Sequence, residues 1–211
     1  MDDRVLAMCE LSGDLLFHKI PRNRLEYYVD GSLCAGRGAA ALYSGQRIQD
    51  LYRDSGIQIR YAGSGKQNYG VLLRGQSVMG KDGCSVEVYQ DSIEALAASS
   101  AWDGSRLTPE EALETHLAHE FFHIWEYRNG LSITDKLEPI VSLRVLGFQR
   151  TSHIYKCGEI AAHAFAKELL GLPFLPNFYD YLYLMNTGKM TRSAFDELLR
   201  DMTARLSPDG S

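Results

Sequence analysis

Residues 115–127 read THLAHEFFHIWEY, a stretch that combines three histidines with two glutamates. His119 and His123 are four residues apart, and side chains at that spacing on a helix point the same way, about one turn apart. Two such imidazoles can bind one Zn²⁺ at ~2.0–2.1 Å each. Glu120 can then take the proton of a water that zinc polarises, as hydrolysis of a peptide bond requires. The stretch therefore predicts one zinc ion on His119 and His123, with Glu120 as the general base.

A zinc site of this kind requires a helix, and the flanking residues predict one independently. Thr108 can cap its start, Pro109 suits its first turn and Glu111 completes a capping box. At the other end, Asn129-Gly130 is typical of a helix terminus. The structural alternative is a helix with a polar face, on which the two histidines only make hydrogen bonds.

A catalytic zinc normally takes three protein ligands and keeps one position open, so a further ligand has to be found. Five downstream side chains offer an imidazole or a carboxylate: Asp135, Glu138, His153, Glu159 and His163. A glutamate in that place is the thermolysin-like, or gluzincin, arrangement. Upstream, His116 shares a helix face with His123, where it is an alternative ligand, a residue of the cleft or a partly exposed histidine.

The order of the predicted elements indicates an α+β protein whose strands are segregated near its start. A helical pattern from about residue 39 stops at Ser55-Gly56. Gly-rich turns then separate three strand-like pieces: IQIRYA at 57–62, YGVLLRG at 69–75 and CSVEVYQ at 84–90. The remaining segments are the helix that starts at Thr108, an apolar stretch at 138–148, a long helix near 153–170, and helical pieces near 176–186 and 192–205.

Composition and charge exclude several classes of function. The 211 residues are 45% hydrophobic and carry a net charge of −5, which makes nucleic acid and anionic membranes poor partners. No run approaches the ~18 apolar residues of a membrane span, and the acidic N-terminus is not typical of a secretory signal. The four cysteines form no CxxC pair and are expected to be reduced thiols. We expect a cytoplasmic protein whose partner is a protein or peptide substrate.

The helix motif resembles that of a known peptidase family. HEFFHIWEYRNG at 119–130 is similar to the HExxHxWxxxNG of the DA1-like metallopeptidases. The resemblance implies a zincin-like metallopeptidase core, with a small twisted three-stranded sheet packed on the HExxH helix and mostly helices after it. The family's third zinc ligand follows in a segment that corresponds to LEPIVSL at 137–143, which implies Glu138. Tyr155 opens a Tyr-x-x-Gly similar to that of many gluzincins and is implied as the transition-state donor, with His153 as the second candidate.

A second resemblance leads to a different ligand. GEIAAHAFAKELLGLP at 158–173 is similar to the ExxAxxFAxxLLxP of ImmA/IrrE-like peptidases, in which the glutamate completes the zinc site. That resemblance implies Glu159. The alternative for this stretch is an ordinary amphipathic helix. Both family resemblances imply the same chemistry on a different third ligand, and Trp125 with Asn129-Gly130 favours Glu138.

The N-terminal segment is expected to differ from the rest of the chain. DA1-like proteins often carry a LIM-type zinc module, and Cys9-Glu10-Leu11-Ser12-Gly13 and DGSLC at 30–34 resemble its cysteine pairs with one cysteine missing from each. A structural zinc site wants four ligands, so no second zinc is expected there. We therefore predict a degenerate LIM-like remnant, or an N-terminal extension, at 1–37 and a zincin-like metallopeptidase domain at 38–211.

These observations together predict a zinc-dependent peptidase with one catalytic ion. An exposed strand edge is expected to pair with an extended substrate, and CSVEVYQ at 84–90 is the candidate strand. One alternative is a catalytically silent protein-interaction module that keeps the zincin fold. Another is a zinc hydrolase that acts on a non-peptide amide.

Overall fold

A computed structural model of the chain describes residues 1–63, 67–68, 71–81, 83–145 and 148–207, with the backbone alone at 67–68 and 71–72. The helices in these ranges are α1 (Asp3–Ser12), α2 (Leu25–Ala41), α3 (Ile48–Asp54), α4 (Gln90–Ala98), α5 (Pro109–Asn129), α6 (Ile133–Lys136), α7 (Lys156–Leu170), α8 (Asn177–Asn186) and α9 (Arg192–Leu206). The strands are β1 (Gln58–Ala62), β2 (Gln67–Asn68), β3 (Val71–Leu72), β4 (Gly75–Gly80), β5 (Gly83–Tyr89), β6 (Ile140–Val145) and β7 (Phe148–Ser152). The predicted α+β class is confirmed.

The main sheet has the strand order β1-β5-β4, in which β1 is parallel and β4 antiparallel to the central strand β5. Consecutive residues of β5 are buried, as a strand covered on both faces requires. Burial alternates along β4, which forms one edge of the sheet among the described strands. The prediction that CSVEVYQ is an exposed edge is therefore wrong, because its run of buried residues fits the centre of the sheet. The strand predicted at 69–75 lies partly outside the described residues.

The helix that carries the histidines has the predicted boundaries. The Thr108 side chain accepts a hydrogen bond from the Glu111 N–H, and the Glu111 carboxylate accepts one from the Thr108 N–H, which completes the capping box. Gly130 ends the helix with φ at 58°, a left-handed conformation that glycine adopts without a steric penalty. Phe121, Phe122 and other apolar side chains bury α5 against the sheet on one side and α7 on the other.

The N-terminal residues belong to the same hydrophobic core as the rest of the chain. α2 crosses the predicted boundary at residue 37 as one continuous helix, so the structure does not separate residues 1–37 from the remainder of the fold. Leu6, Leu11, Tyr28 and Leu33 on α1 and α2 are buried in the cluster that also holds α5 and α7. The apolar spacing of these segments folds them as core helices, and a degenerate LIM-like remnant or N-terminal extension at 1–37 stays a prediction about their origin.

The segments after α5 complete the fold. The apolar stretch predicted at 138–148 forms the hairpin β6–β7, whose residues 146–147 lie outside the described part. The predicted long helix is α7, which ends at Gly171 in the left-handed conformation, and α8 and α9 match the two later helical pieces. Among the described residues, no helix has the length and apolar character needed to span a membrane.

Candidate metal centre

Three side chains from two packed helices converge on one point. α5 supplies His119 and His123 one turn apart, and α7, which packs along α5, supplies Glu159. The two Nε2 atoms of the histidines are 3.2 Å apart. The Glu159 carboxylate lies across both, with one oxygen 3.4 Å from His119 Nε2 and the other 3.6 Å from His123 Nε2. In the described part of the chain, this is the group of three metal-ligating side chains that the structure brings together.

The three residues are close enough to share one metal ion. Donors that bind zinc at ~2.0–2.1 Å in a tetrahedron are about 3.3–3.4 Å from one another. The two Nε2 atoms, 3.2 Å apart, lie close to that value, and each is 3.4 or 3.6 Å from a different oxygen of Glu159. Two imidazoles and one carboxylate are also a donor set that zinc accepts in catalytic sites. The three residues can therefore hold a metal ion, and the types of their donor atoms suit zinc among other metals.

His119 and Glu159 shift each other's pKa towards the charged forms, so a metal ion has to displace the proton that this favours on His119. Burial alone lowers the pKa of His119, but contact with Glu159 and its negative charge raise the pKa above its ordinary value. Burial alone raises the pKa of Glu159, but His119, His123 and His163 lower it well below its usual range. Glu159 is therefore ionised at neutral pH, as a carboxylate ligand must be.

Neighbouring side chains hold the two imidazoles in place. His123 Nδ1 lies 3.5 Å from a carboxylate oxygen of Glu126, whose other oxygen accepts a hydrogen bond of 2.8 Å from the Ile133 N–H. A carboxylate behind a histidine fixes its orientation and makes it a better metal ligand. The buried ring of His163 packs on His119, with ring centroids 4.7 Å apart. Both ligand histidines thus have little freedom to turn away from the site.

Glu120 lies beside the three converging side chains and is only 8% exposed. The Ser77 hydroxyl on β4 donates a hydrogen bond to one of its carboxylate oxygens, and His116 Nε2 is 3.8 Å from the other. Burial raises the pKa of Glu120, but the histidines at 116, 119 and 123 and the bond from Ser77 bring the pKa below its ordinary value. Glu120 is therefore an ionised carboxylate, as a general base must be.

His116 packs in the space that a glycine leaves open. A β-carbon on Gly75 would overlap its Nε2 atom, so the glycine lets β4 approach α5 at this point. Burial lowers the pKa of His116 to about 4, so the ring is neutral. Its Nε2 is buried and has no hydrogen-bond partner among the described residues. Of the three predicted roles, the structure supports that of a cleft residue, because His116 lines the cleft that residues of α5 and α8 form.

The structure does not bring Glu138 or Tyr155 to the histidines. Glu138 forms an ion pair of 2.8 Å with Arg24, and its side chain is 67% exposed. Glu138 comes just before β6 and does not belong to the group of possible metal ligands in the described residues, so the structure gives the prediction of Glu138 as third ligand no support. Tyr155 is 81% exposed at the start of α7 and does not line the cleft. His153, the second candidate donor, has its Nδ1 2.9 Å from the Thr134 carbonyl oxygen.

Two of the three converging side chains, His119 and Glu159, line a cleft of about 600 Å³. The lining residues come from α5, from the segment just before β4 and from α8, with contributions from α1 and α7. Glu10 of α1 reaches this cleft and forms an ion pair of 2.6 Å with Lys156. The cleft is thus lined by many charged and imidazole side chains, with tyrosines and a few leucines between them.

Sequence reasoning missed several residues of this site. Ser77, Arg74 and Glu10 reach it from segments far from the HExxH motif, and no local pattern marks them. Burial alternates along GQSVMG at 75–80, but apolar and polar residues do not, because Ser77 faces inward and Val78 outward, so the sequence carried no clear strand signal there. Comparison of the chain with protein-family models, with curated proteins and with solved structures found no match. The functional argument therefore depends on the geometry of the site.

Proposed function

We propose that this chain is a zinc-dependent peptidase of the gluzincin type, with one catalytic Zn²⁺ held by His119, His123 and Glu159. The observation that carries the proposal is the convergence of these donors, which lie within 4.8 Å of one another, with His119 and Glu159 lining the same cleft as Glu120. When bound, zinc supplies a Lewis acid that polarises a carbonyl group and makes water more acidic.

The proton transfers of hydrolysis belong to Glu120. Its ionised carboxylate accepts the proton of the attacking water, and the carboxyl group then donates that proton to the amine nitrogen as the C–N bond breaks. The hydrogen bond from Ser77 keeps the carboxylate beside the cleft. Because Glu120 is buried, few water molecules compete for it, and its interactions with charged groups are strengthened.

β4 offers the surface on which an extended peptide can bind. It is the edge strand of the sheet in the described part of the chain, and its Ser77 contacts the proposed general base. A peptide that adds to this edge forms backbone hydrogen bonds that do not depend on its sequence. We therefore assign to β4 the role that the sequence had given to residues 84–90.

The position of Glu159 supports the second of the two family resemblances. In ImmA/IrrE-like peptidases the glutamate of the ExxAxxFAxxLLxP segment completes the zinc site, and Glu159 is that residue here. The DA1-like assignment requires Glu138, which is paired with Arg24 instead. We therefore propose a zincin-like core made of the three-stranded sheet, α5 and α7, with its likeness to ImmA/IrrE-like peptidases as the better guide.

We also propose that the enzyme works in the cytoplasm. All four cysteines are free thiols, and three of them are buried. Free thiols persist in a reducing compartment.

Hydrolysis of a mixed peptide library by the zinc-loaded protein tests the proposal. Mass spectrometry should find new peptide termini with the wild type. The Glu120→Gln variant should retain zinc and lose at least about 100-fold in rate, because an amide cannot accept the proton. Glu110→Gln is the matched control, since Glu110 is exposed in the first turn of the same helix. The proposal fails if the wild type cleaves no peptide of the library, or if Glu120→Gln is as active as the wild type.

A further inference from the structure

The cleft has a charged end formed by Arg74, Asp180 and Lys189, which line it together with His119 and Glu159. Arg74 directly precedes β4 and forms an ion pair with Asp180 of α8, so the pair joins the strand side of the cleft to its helix side. The Lys189 amine lies 5.2 Å from the centre of the Tyr183 ring and makes no ion pair within the described residues. Asp180 balances Arg74, so Lys189 gives these three residues a net positive charge, while Glu10, Glu120 and Glu159 are the negative groups of the lining.

The direction of β4 decides which half of a peptide meets these charges. A peptide that adds antiparallel to β4, the slightly more stable pairing, has its C-terminal half beside the start of β4, where Arg74 lies. Ser77 contacts Glu120 and so marks the point of cleavage. Ser77 comes three positions after Arg74, which corresponds to about 10 Å of extended chain. This distance leaves room for one or two substrate residues after the cleaved bond.

Arg74 is suited to hold the end of a chain. Its side chain is 20% exposed, and its Nε is buried without a hydrogen-bond partner among the described residues. A guanidinium has five N–H donors and can bind a second carboxylate in a bidentate manner. Asp180 is the more exposed member of the pair at 41%, and the guanidinium keeps further N–H donors besides the one that it gives to Asp180. A peptide that continued past this point would have to break the ion pair, whereas a terminal carboxylate adds a charge that Arg74 and Lys189 can bind.

We propose that this charged end binds the C-terminal carboxylate of a peptide, so that the enzyme releases one or two residues from the C-terminus of its substrate. The inference rests on the proposed peptidase function and names its substrate class. The reaction is amide hydrolysis, in which the C–N bond breaks, the oxygen of water bonds to the carbonyl carbon, and Glu120 passes the proton to the leaving amine.

Binding can be measured apart from turnover with the zinc-loaded Glu120→Gln protein. The probes are fluorescently labelled peptides of identical sequence that end in a free carboxylate or in a carboxamide. The carboxylate peptides should bind at least tenfold more tightly, because charge-assisted hydrogen bonds are about twice as strong as neutral ones. Adding Arg74→Gln should abolish this difference, and adding Lys189→Gln, which changes an exposed side chain, should reduce it. Arg144→Gln on the exposed face of β6 is the matched control and should leave it unchanged.

Turnover by the otherwise unmodified protein distinguishes the two proposals. Release of one or two C-terminal residues from free-acid peptides, with the amide peptides cut at least tenfold more slowly, supports C-terminal recognition. Cleavage at internal bonds with equal rates for acid and amide would support a peptidase but overturn this inference. Equal binding of the two peptide forms to the Glu120→Gln protein, or no binding of either, would overturn it as well.

Discussion

Replacing Glu159 with alanine removes the carboxylate that lies across both histidines, at 3.4 and 3.6 Å from their Nε2 atoms. Two imidazoles from a single helix would then remain as the protein ligands. Loss of a residue behind the ligands typically weakens metal binding by ~10–100-fold, so loss of a ligand is expected to reach at least the upper value. We therefore expect the zinc dissociation constant of Glu159→Ala to rise by about 100-fold or more.

This change in affinity has a measurable thermal consequence. Zinc at 1,000 times the wild-type dissociation constant stabilises the fold by about 4.1 kcal/mol. For a chain of this size, each kcal/mol shifts the melting temperature by about 2–4 °C, so the wild type should gain about 8–16 °C. The same zinc concentration is only ten times the dissociation constant of Glu159→Ala, which corresponds to about 1.4 kcal/mol and a gain of about 3–6 °C. Thermal scans with and without zinc, together with competition against a chelator, give both quantities.

The matched control is Glu138→Ala, which removes a carboxylate of the same size from the position that the sequence had favoured. Its partner is Arg24 on the surface, and surface ion pairs contribute little to stability. Glu138→Ala should therefore show the full zinc-induced shift of the wild type. A full shift for Glu159→Ala combined with a reduced shift for Glu138→Ala would refute the assignment of the third ligand and restore the DA1-like resemblance as the better guide.

Two further predictions concern the fold. On α2, Gly36→Ala should lower the free energy of unfolding by about 1–3 kcal/mol, because the added β-carbon would overlap the Ala161 carbonyl oxygen of α7. Gly38→Ala on the same helix has free space and should raise the free energy of unfolding by about 0.5–1 kcal/mol. Similar melting temperatures for the two variants would contradict the packing of α2 on α7. A thiol reagent should modify Cys34 alone in the native protein, since the other three cysteines are buried, and all four cysteines after denaturation. Rapid reaction of more than one thiol in the native state would contradict the burial of these cysteines in the core.

Local signals in the sequence were sufficient for individual helices. The capping residues around Thr108 and the glycine at 130 fixed the ends of α5, because a helix terminus is satisfied by groups within a few residues of it. The spacing of His119 and His123 is likewise a local property, and the structure places both side chains on one face. These features needed no knowledge of the tertiary fold.

Features that depend on tertiary packing could not be predicted in this way. Residues 84–90 were recognised as a strand, but its central place in the sheet depends on β1 and β4, which come from other parts of the chain. The choice between Glu138 and Glu159 depends on how α7 packs along α5 and on the hairpin that precedes it. Ser77 and Arg74 join the site only because the sheet contacts α5 beside the motif.

The central claim is that one zinc ion binds to His119, His123 and Glu159. X-ray absorption at the zinc K edge tests it most directly, on protein loaded with one equivalent of zinc. The spectrum should show nitrogen and oxygen neighbours at ~2.0–2.2 Å, with the scattering pattern of two imidazoles and without sulfur. Glu159→Ala should lose an oxygen neighbour of this shell or fail to retain the zinc. Sulfur neighbours at ~2.3 Å would place the metal on cysteines and contradict the claim. Retention of less than about a tenth of an equivalent of zinc by the wild type would contradict it as well.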